Sequence, residues 1–170
     1  MLVCTDVDYR DDGTARAAAV GFGRWAEATP QGEWVARVQD VQPYQPGEFY
    51  RRELPCLLAV LEEVTRNAGP PQLVVIDGYV TLDAAGTSGL GAHLYAALGG
   101  QIPVVGVAKT AFRGSAHALP VCRGDSRSPL YVTAVGISAA QAAREVAGMA
   151  GPHRLPTLLK RADQLCRTAP

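Results

Sequence analysis

Short apolar runs separated by turn residues fill the first forty positions of the chain and predict three β-strands. The candidate strands are Leu2–Asp8, Ala15–Trp25 and Trp34–Val38. They are separated by turn signals at Asp11-Asp12-Gly13 and Thr29-Pro30-Gln31-Gly32. Because both connections are short, we expect the three strands to form an antiparallel meander.

The apolar spacing changes to three or four residues after the segment Pro43-Tyr44-Gln45-Pro46-Gly47, which breaks the chain. This spacing predicts an amphipathic helix from about Phe49 to Asn67. The helix should stop at Ala68-Gly69-Pro70-Pro71, where glycine and proline cannot continue it. Its apolar positions are Leu54, Leu57, Leu58, Leu61 and Val64.

Predicted strands and helices alternate through the rest of the chain. We expect strands at Leu73–Ile76, Val104–Val107 and Leu130–Val135, a loop with a possible hairpin at Ala111–Arg127, and helices from a Thr87-Ser88 cap to about Leu98, at Ala139–Met149 and at Pro156–Cys166. A meander followed by this alternation is typical of an α/β fold with a mixed sheet. We therefore predict a single domain over residues 1–170.

Composition narrows the setting of this domain. With 170 residues, of which 48% are hydrophobic, the chain is long enough to bury one core, and no apolar stretch is long enough to span a membrane. Acids near the N-terminus argue against a signal peptide. The cysteines form no CxxC pair, so we predict neither a zinc site nor a redox motif. A reducing cytoplasm is the simplest setting for them. We also expect the protein to be a monomer. Three of the four are predicted to be core residues, namely Cys4, Cys56 and Cys166, while Cys122 is not.

Charge is divided unevenly although the formal net charge is zero. Residues 1–104 carry 7 Lys/Arg and 13 Asp/Glu, a balance of −6, and residues 105–170 carry 9 and 3, a balance of +6. An acidic part beside a basic part suits a cation site next to a phosphate-binding surface. Solvated surface charge without a partner is the alternative, and the charges alone favour it.

Three acids occupy positions where burial is expected. Asp6 ends an apolar opening, Asp77 ends the strand Leu73–Ile76, and Glu53 shares a narrow helical stripe with Leu57, Val60 and Val64. Buried carboxylates need a hydrogen-bond donor, a counter-ion or a metal ion. Carboxylates that converge from separate elements suit a hard divalent ion such as Mg²⁺. This pattern favours a metal-dependent phosphodiesterase.

Each acid also has a simpler interpretation. Asp6 or Asp77 could cap a turn, and Glu53 could pair with Arg51 or Arg52. Asp163, on the last predicted helix, repeats the apolar-stripe pattern but has basic residues at i−3 and i+4, Lys160 and Arg167. Lys109 follows a strand end, where a lysine can bind phosphate or orient water, although a surface role is the alternative.

Four segments together resemble the endonuclease V family in order along the chain. They are Asp6-Val7, Pro43-Tyr44-Gln45-Pro46-Gly47 followed by Phe49 and Arg52-Glu53, Asp77-Gly78, and Gly106-Val107-Ala108-Lys109. Weaker similarity continues through Pro129–Val132 and Arg154-Leu155-Pro156 to Asp163. The proline-tyrosine segment and the Gly-Val-Ala-Lys segment are the specific ones.

The resemblance implies an RNase H-like fold and cleavage of the second phosphodiester 3′ of deoxyinosine, with Mg²⁺ or Mn²⁺ as cofactor. It implies 3′-hydroxyl and 5′-phosphate products. Asp6, Glu53, Asp77 and Asp163 would be metal ligands, and Lys109 would contact the scissile region. Tyr44 would fill the gap left by a flipped base, and Gly47 and Phe49 would line the pocket for that base.

Four positions in three segments depart from the family pattern. Asp-Gly-His-Gly is Asp77-Gly78-Tyr79-Val80 here, a histidine six residues beyond Asp77 is Asp83, and a later Gly-His is Gly136-Ile137. Val80 is expected to narrow the pocket, and Asp83 to place an anion near a phosphate path. Metal-dependent cleavage is thus better supported than inosine specificity. The alternatives are the same chemistry on inosine-containing or structured RNA, a nucleic-acid-binding module without turnover, and a fold in which the acids are only caps and ion pairs.

Overall fold

The computed structural model describes residues 1–39, 41–42, 45, 47–111 and 113–168. Seven strands and four helices lie in these ranges, with a short 3-10 turn at Ser115–His117. The strands are β1 (Leu2–Tyr9), β2 (Ala15–Phe22), β3 (Gly32–Val38), β4 (Leu73–Asp77), β5 (Val104–Ala108), β6 (Leu119–Val121) and β7 (Leu130–Val135). The helices are α1 (Phe49–Ala68), α2 (Leu90–Ala97), α3 (Ala139–Ala147) and α4 (Thr157–Thr168).

The seven strands form one mixed sheet in the order β3-β2-β1-β4-β5-β7-β6. The first three are antiparallel neighbours, which confirms the predicted meander. β1, β4 and β5 are parallel to one another, so their carboxyl ends lie at one edge of the sheet. β6 pairs with β7, and the hairpin expected within the 111–127 segment is therefore present in part.

Helices cover both faces of this sheet and create two apolar layers. α1 and α2 bury residues such as Leu57 and Leu94 against Val3, Val74 and Ile76. α3 and α4 cover the opposite face, where their buried residues meet the alternate strand positions. Successive strand residues point to opposite faces, which is why β1 and β4 contribute to both layers. The buried residues on the second face include Cys4, Val75, Val105, Ala142, Val146, Leu158 and Leu159.

The predicted cap of α2 is wrong. Gly89 precedes the helix, and no side chain caps its amide groups. Thr87 instead donates its hydroxyl to Asp83 at 2.6 Å, and Ser88 forms an isolated bridge with Thr81. A local side-chain turn has therefore taken the residue that sequence alone assigned to the helix end.

Other boundaries differ by a few residues, and the cysteine prediction is confirmed. β2 ends at Phe22 rather than Trp25, since the chain turns before Glu27. All four cysteines are free thiols; Cys122 is exposed, and the other three are buried. Within the described part of the chain, none of the helices combines the length and apolar character needed to cross a membrane.

Candidate active site

Two acids and a lysine lie together on three adjacent parallel strands, near the edge where β4 and β5 end. Asp77 is the last residue of β4, and Lys109 directly follows β5. Asp6 comes just after the last parallel pair between β1 and β4, Thr5 with Ile76. Asp6, Asp77 and Lys109 line one narrow cleft. Asp77 and Lys109 lie at strand ends, as predicted from sequence, whereas Asp6 lies inside β1, which continues to Tyr9.

Glu53 reaches the same edge from α1. Its side chain shares a buried stripe with Leu57, Val60 and Val64, as predicted, and Glu53 itself is only 5% exposed. The helix packs this stripe onto β1, β2 and β3, since all three strands contact α1. A carboxyl group is thereby carried into an apolar layer where water cannot solvate it well.

The three carboxyl groups are close enough to change one another's ionisation. Burial, followed by the charge of Asp77, raises the pKa of Asp6 to about 6. Burial, followed by the charges of Asp6 and Asp77, raises the pKa of Glu53 to about 8. Burial is the larger cause of both shifts and the neighbouring carboxylates add to it, so ionising all of these acids together is unfavourable without a cation.

Lys109 supplies the only direct cationic contact to Asp77 among the described residues. Its Nζ lies 2.6 Å from Asp77 Oδ2. Burial alone would lower the pKa of Lys109, but the hydrogen bond and charge of Asp77, with the charges of Asp6 and Asp163, raise it overall. Asp77 is therefore paired with a lysine from the neighbouring strand end, which is not the contact expected of a turn cap. Asp6 accepts a 2.8 Å bond from the amide of the next residue, Val7.

Tyr9 and Arg52 form a small supporting cluster that sequence reasoning missed. The Tyr9 hydroxyl donates to Glu53 Oε2 at 3.3 Å. The Arg52 guanidinium lies 3.6 Å from the Tyr9 ring centroid, and its buried Nε has no hydrogen-bond partner among the described residues. Arg51 pairs with Glu48 at 3.2 Å, so neither arginine forms the expected ion pair with Glu53. The available signal was the period-two alternation in β1, which places Tyr9 on the same face as Val3 and Val7, toward α1.

Asp163 approaches from α4, on the opposite face of the sheet. Its Oδ1 accepts from Arg167 at 2.8 Å, so the predicted surface pairing at i+4 is present. Its charge still contributes to raising the pKa of Asp6. Asp163 therefore belongs to the outer part of the acidic cluster.

The chemistry of the donor set fits a divalent cation, although the side chains are not arranged around one. Among the described residues, no three His, Cys, Asp or Glu side chains form a ready metal-binding group. One carboxyl oxygen of each of three acids accepts a hydrogen bond from a neighbouring side chain instead: Asp77 from Lys109, Asp163 from Arg167 and Glu53 from Tyr9. Carboxyl oxygens from separate elements are the donors that a hard divalent cation prefers, and such a cation would favour the ionised form of acids that burial disfavours.

A second cleft opens beside Asp77, on the α1 side. Gly47 and Phe49 line it together with Gly78 and Tyr79, and its volume is ≈ 320 Å³. Phe49 is 44% exposed, which is unusual for a large apolar side chain among the described residues. Tyr44 lies outside the described residues.

The residues that depart from the family pattern have other structural roles here. Val80 is buried, and its side chain packs so closely on Gly91 that a Cβ there would meet Val80 Cγ2 at 2.7 Å. It therefore closes the layer behind the cleft. Asp83 caps the turn to Thr87, whose amide and hydroxyl both donate to it and lower its pKa. Tyr79 donates its hydroxyl to the carbonyl of Thr110 at 2.8 Å, next to Lys109.

Arg154 holds the segment that carries Lys109, a role that the sequence did not reveal. Its Nη2 donates to the Lys109 carbonyl and, at 2.8 Å, to the carbonyl of Pro129. Two loops that are far apart in sequence are joined by one guanidinium. The Arg-Leu-Pro segment was the only indication of this contact in the sequence.

The solved structures that share this architecture define its class. A Ciona intestinalis endonuclease V, determined with a 23mer DNA that contains an inosine followed by a ribo-adenosine, matches 98% of this chain and 83% of its own with a TM-score of 0.82. At 18% identity this likeness shows the fold, which is the RNase H-like α/β fold.

Sequence comparison then identifies the family. The Endonuclease V family model matches residues 1–144. A Streptomyces coelicolor endonuclease V is 34% identical over 187 residues, covering 96% of this chain and 76% of the relative. A Xanthomonas axonopodis relative is 37% identical over 126 residues, and the match spans 74% of this chain but only 50% of that protein. The chain belongs to the endonuclease V family, a family of divalent-metal-dependent endonucleases.

Proposed function

We propose that this chain hydrolyses phosphodiester bonds in deoxyinosine-containing DNA as a Mg²⁺- or Mn²⁺-dependent endonuclease in DNA repair. The observation that carries the proposal is the convergence of Asp6, Glu53 and Asp77 at one edge of the sheet in a member of this family. The DNA in the Ciona intestinalis complex contains inosine, which supports the choice of substrate.

The acids would act together, each from a different element. Asp6 and Asp77 would hold one ion at the strand ends, while Glu53 and Asp163 would serve a second from the two faces of the sheet. When bound, such ions activate water and stabilise the leaving 3′ oxygen. The products would be a 3′-hydroxyl and a 5′-phosphate.

Lys109 and the cleft beside Asp77 would position the substrate. Lys109 is now paired with Asp77. If the Asp77 carboxylate binds a metal ion instead, the Lys109 ammonium group is close enough to the acids to contact a scissile phosphate. The ≈ 320 Å³ cleft lined by Gly47 and Phe49 has room for a flipped base. Tyr44, outside the described residues, would stack in the space that the base leaves.

Cleavage mapping would test the proposal directly. Matched inosine-bearing and plain strands, as DNA and as RNA, are incubated with the protein and Mg²⁺, and the product ends are sequenced. Cleavage confined to inosine-bearing DNA, at the second bond 3′ of the base, is the expected result. Preferential cleavage of RNA would assign the same chemistry to RNA, whereas binding without cleavage would indicate a module without turnover.

A single functional domain in a reducing setting completes the proposal. All four cysteines are free thiols, which supports the proposed cytoplasmic location. We propose that residues 1–170 act as one monomeric domain. Sedimentation velocity at several protein concentrations would check the oligomeric state.

A further inference from the structure

A third cleft lies on the α4 flank of the acidic edge, outside every role described above. Its volume is ≈ 360 Å³, within the size range of ligand sites. Ala28 and Pro30, from the loop after β2, form one wall, and the segment leading into α4 forms the other. We propose that this cleft binds a nucleotide of the substrate strand next to the cleaved bond, an inference that rests on the proposed function.

The cleft adjoins the acidic edge. Leu155 lines both this cleft and the narrow cleft that contains Asp6 and Asp77. On α4, Leu158 faces this cleft and the adjacent Leu159 faces the acids. A strand that leaves the acids across the start of α4 therefore enters this cleft next.

The lining suits a nucleotide because it joins an apolar floor to a basic rim. Alanine, proline and leucine side chains make the floor, against which a base or sugar can pack. No described lining residue is acidic, whereas His153, Lys160 and Arg161 are basic. This charge is opposite to that of the neighbouring acids, which suits a phosphate-bearing chain.

Lys160 is the cation available to a phosphate. Arg161 is engaged by Glu33, with two bonds of 2.7 Å that fasten α4 to β3. Lys160 is exposed at the rim, and within the described ranges no ion pair involves it. Its ammonium group can therefore bind a phosphate without first losing a protein partner.

The walls of the cleft are already held in place. Arg123 donates to the carbonyls of Gly151, His153 and Arg154, which fixes the segment before α4. The Thr157 amide closes this segment by donating to the Ala150 carbonyl at 2.9 Å. A preformed site loses little conformational entropy when it binds a flexible strand.

Two substitutions with matched controls test the inference in the non-cleaving Asp77→Asn background. Lys160→Glu reverses the rim charge, and Arg144→Glu makes the same reversal on α3, away from the cleft. Ala28→Trp fills the cleft, and Ala26→Trp adds the same side chain to the same loop outside the lining. All four positions are exposed, so folding should be retained.

Binding of fluorescent inosine-bearing strands, extended by one nucleotide at a time on either side, is measured by anisotropy at several salt concentrations. We expect Lys160→Glu to weaken binding of the longer strands by about tenfold and to reduce the salt slope by about one, since one phosphate contact is lost. Ala28→Trp should weaken the same strands, and the loss should shrink on strands too short to reach the cleft. Neither control should match these losses.

Equal losses for each variant and its control, or a loss that does not depend on strand length, would overturn the inference while leaving the proposed function intact. Failure of the parent protein to bind or cleave any strand is a different result, because it would overturn the proposed function and this inference with it.

Discussion

Two buried ionisable side chains in this protein have opposite environments. Arg123 is 7% exposed and Glu53 is 5% exposed, so water solvates neither well. The Arg123 guanidinium is surrounded by backbone carbonyls that replace its hydration. It donates to the carbonyls of Ala147, Met149, Gly151, His153 and Arg154.

Glu53 has far less compensation. Among the described contacts it accepts a single 3.3 Å hydrogen bond, from Tyr9, and the charges of Asp6 and Asp77 oppose its own. A buried charge that the backbone satisfies stabilises the fold, whereas one left among like charges destabilises it unless a ligand intervenes. The difference indicates a structural role for Arg123, and it supports the proposed role of Glu53 in a metal site.

The largest expected effect comes from breaking the acidic edge itself. Asp77→Asn keeps the shape of the side chain but removes a charge that a cation needs. We expect cleavage of inosine-bearing DNA to fall by about a thousandfold or more, on the order of 4 kcal/mol in the barrier. Thermal unfolding should change little, because one acid-acid repulsion disappears with the Lys109 pair.

Asp11→Asn is the matched control, since Asp11 is exposed in the β1–β2 turn. It should cleave at the parent rate. A cleavage rate unchanged in Asp77→Asn would remove Asp77 from the site, and a large drop in melting temperature would make it a structural residue instead.

Removing the satisfied charge should affect stability. Arg123→Met leaves up to five carbonyls without their donor and loosens the segment before α4. We expect the free energy of unfolding to fall by about 2–4 kcal/mol, measured by urea denaturation. Arg127→Met, at an exposed position of the same loop, should cost well under 1 kcal/mol, or about the size of an ordinary surface change. Equal losses for the two would mean that the carbonyl cage contributes nothing.

Glu53→Gln should alter the pH dependence of stability. The pKa of Glu53 is raised from its usual 4.5 to about 8, so the folded state keeps a proton that the unfolded state has lost. Stability of the metal-free parent should therefore fall as pH rises from about 4.5 to about 8. Between pH 6 and 8 we expect a loss of about 1–2 kcal/mol, which the variant should largely lack.

The measurement is a set of melting curves with a chelator at several pH values. Excess Mn²⁺ should reverse the trend for the parent, because the cation favours the ionised acids at high pH. If the melting temperatures of parent and variant depend on pH in the same way, then Glu53 is not the group whose raised pKa causes the loss of stability.

The elements that a local pattern defines could be predicted from the sequence. Helical spacing placed Glu53 on the buried face of α1, and strand-end positions placed Asp77 and Lys109 at one edge. The Lys109–Asp77 contact itself could not be predicted, because it depends on the parallel register of β4 and β5. Sequence separation also concealed Arg123, whose partners lie more than twenty residues away in irregular backbone.

Local competition explains the errors at shorter range. Thr87 was predicted to cap α2, but its amide and its hydroxyl both donate hydrogen bonds to Asp83, four residues before it. Arg52 was considered a counter-ion for Glu53, yet its guanidinium lies over the Tyr9 ring. In both cases several partners were compatible with the spacing, and only the folded backbone selects one.

The smallest expected effect comes from the one donor that Glu53 has. Tyr9→Phe removes the hydroxyl that lies 3.3 Å from Glu53 Oε2 and keeps the ring beneath Arg52. The Glu53 carboxylate then loses the group that orients it, so a cation should bind less tightly. We expect the Mn²⁺ affinity, measured by calorimetry, and the cleavage rate at limiting Mn²⁺ to fall by about three- to tenfold, or about 0.7–1.4 kcal/mol.

Tyr9→Leu, which also removes the ring from Arg52, should add a loss of stability. If Tyr9→Phe leaves the Mn²⁺ affinity unchanged while Tyr9→Leu only destabilises, then Tyr9 supports the fold through its ring and does not orient Glu53.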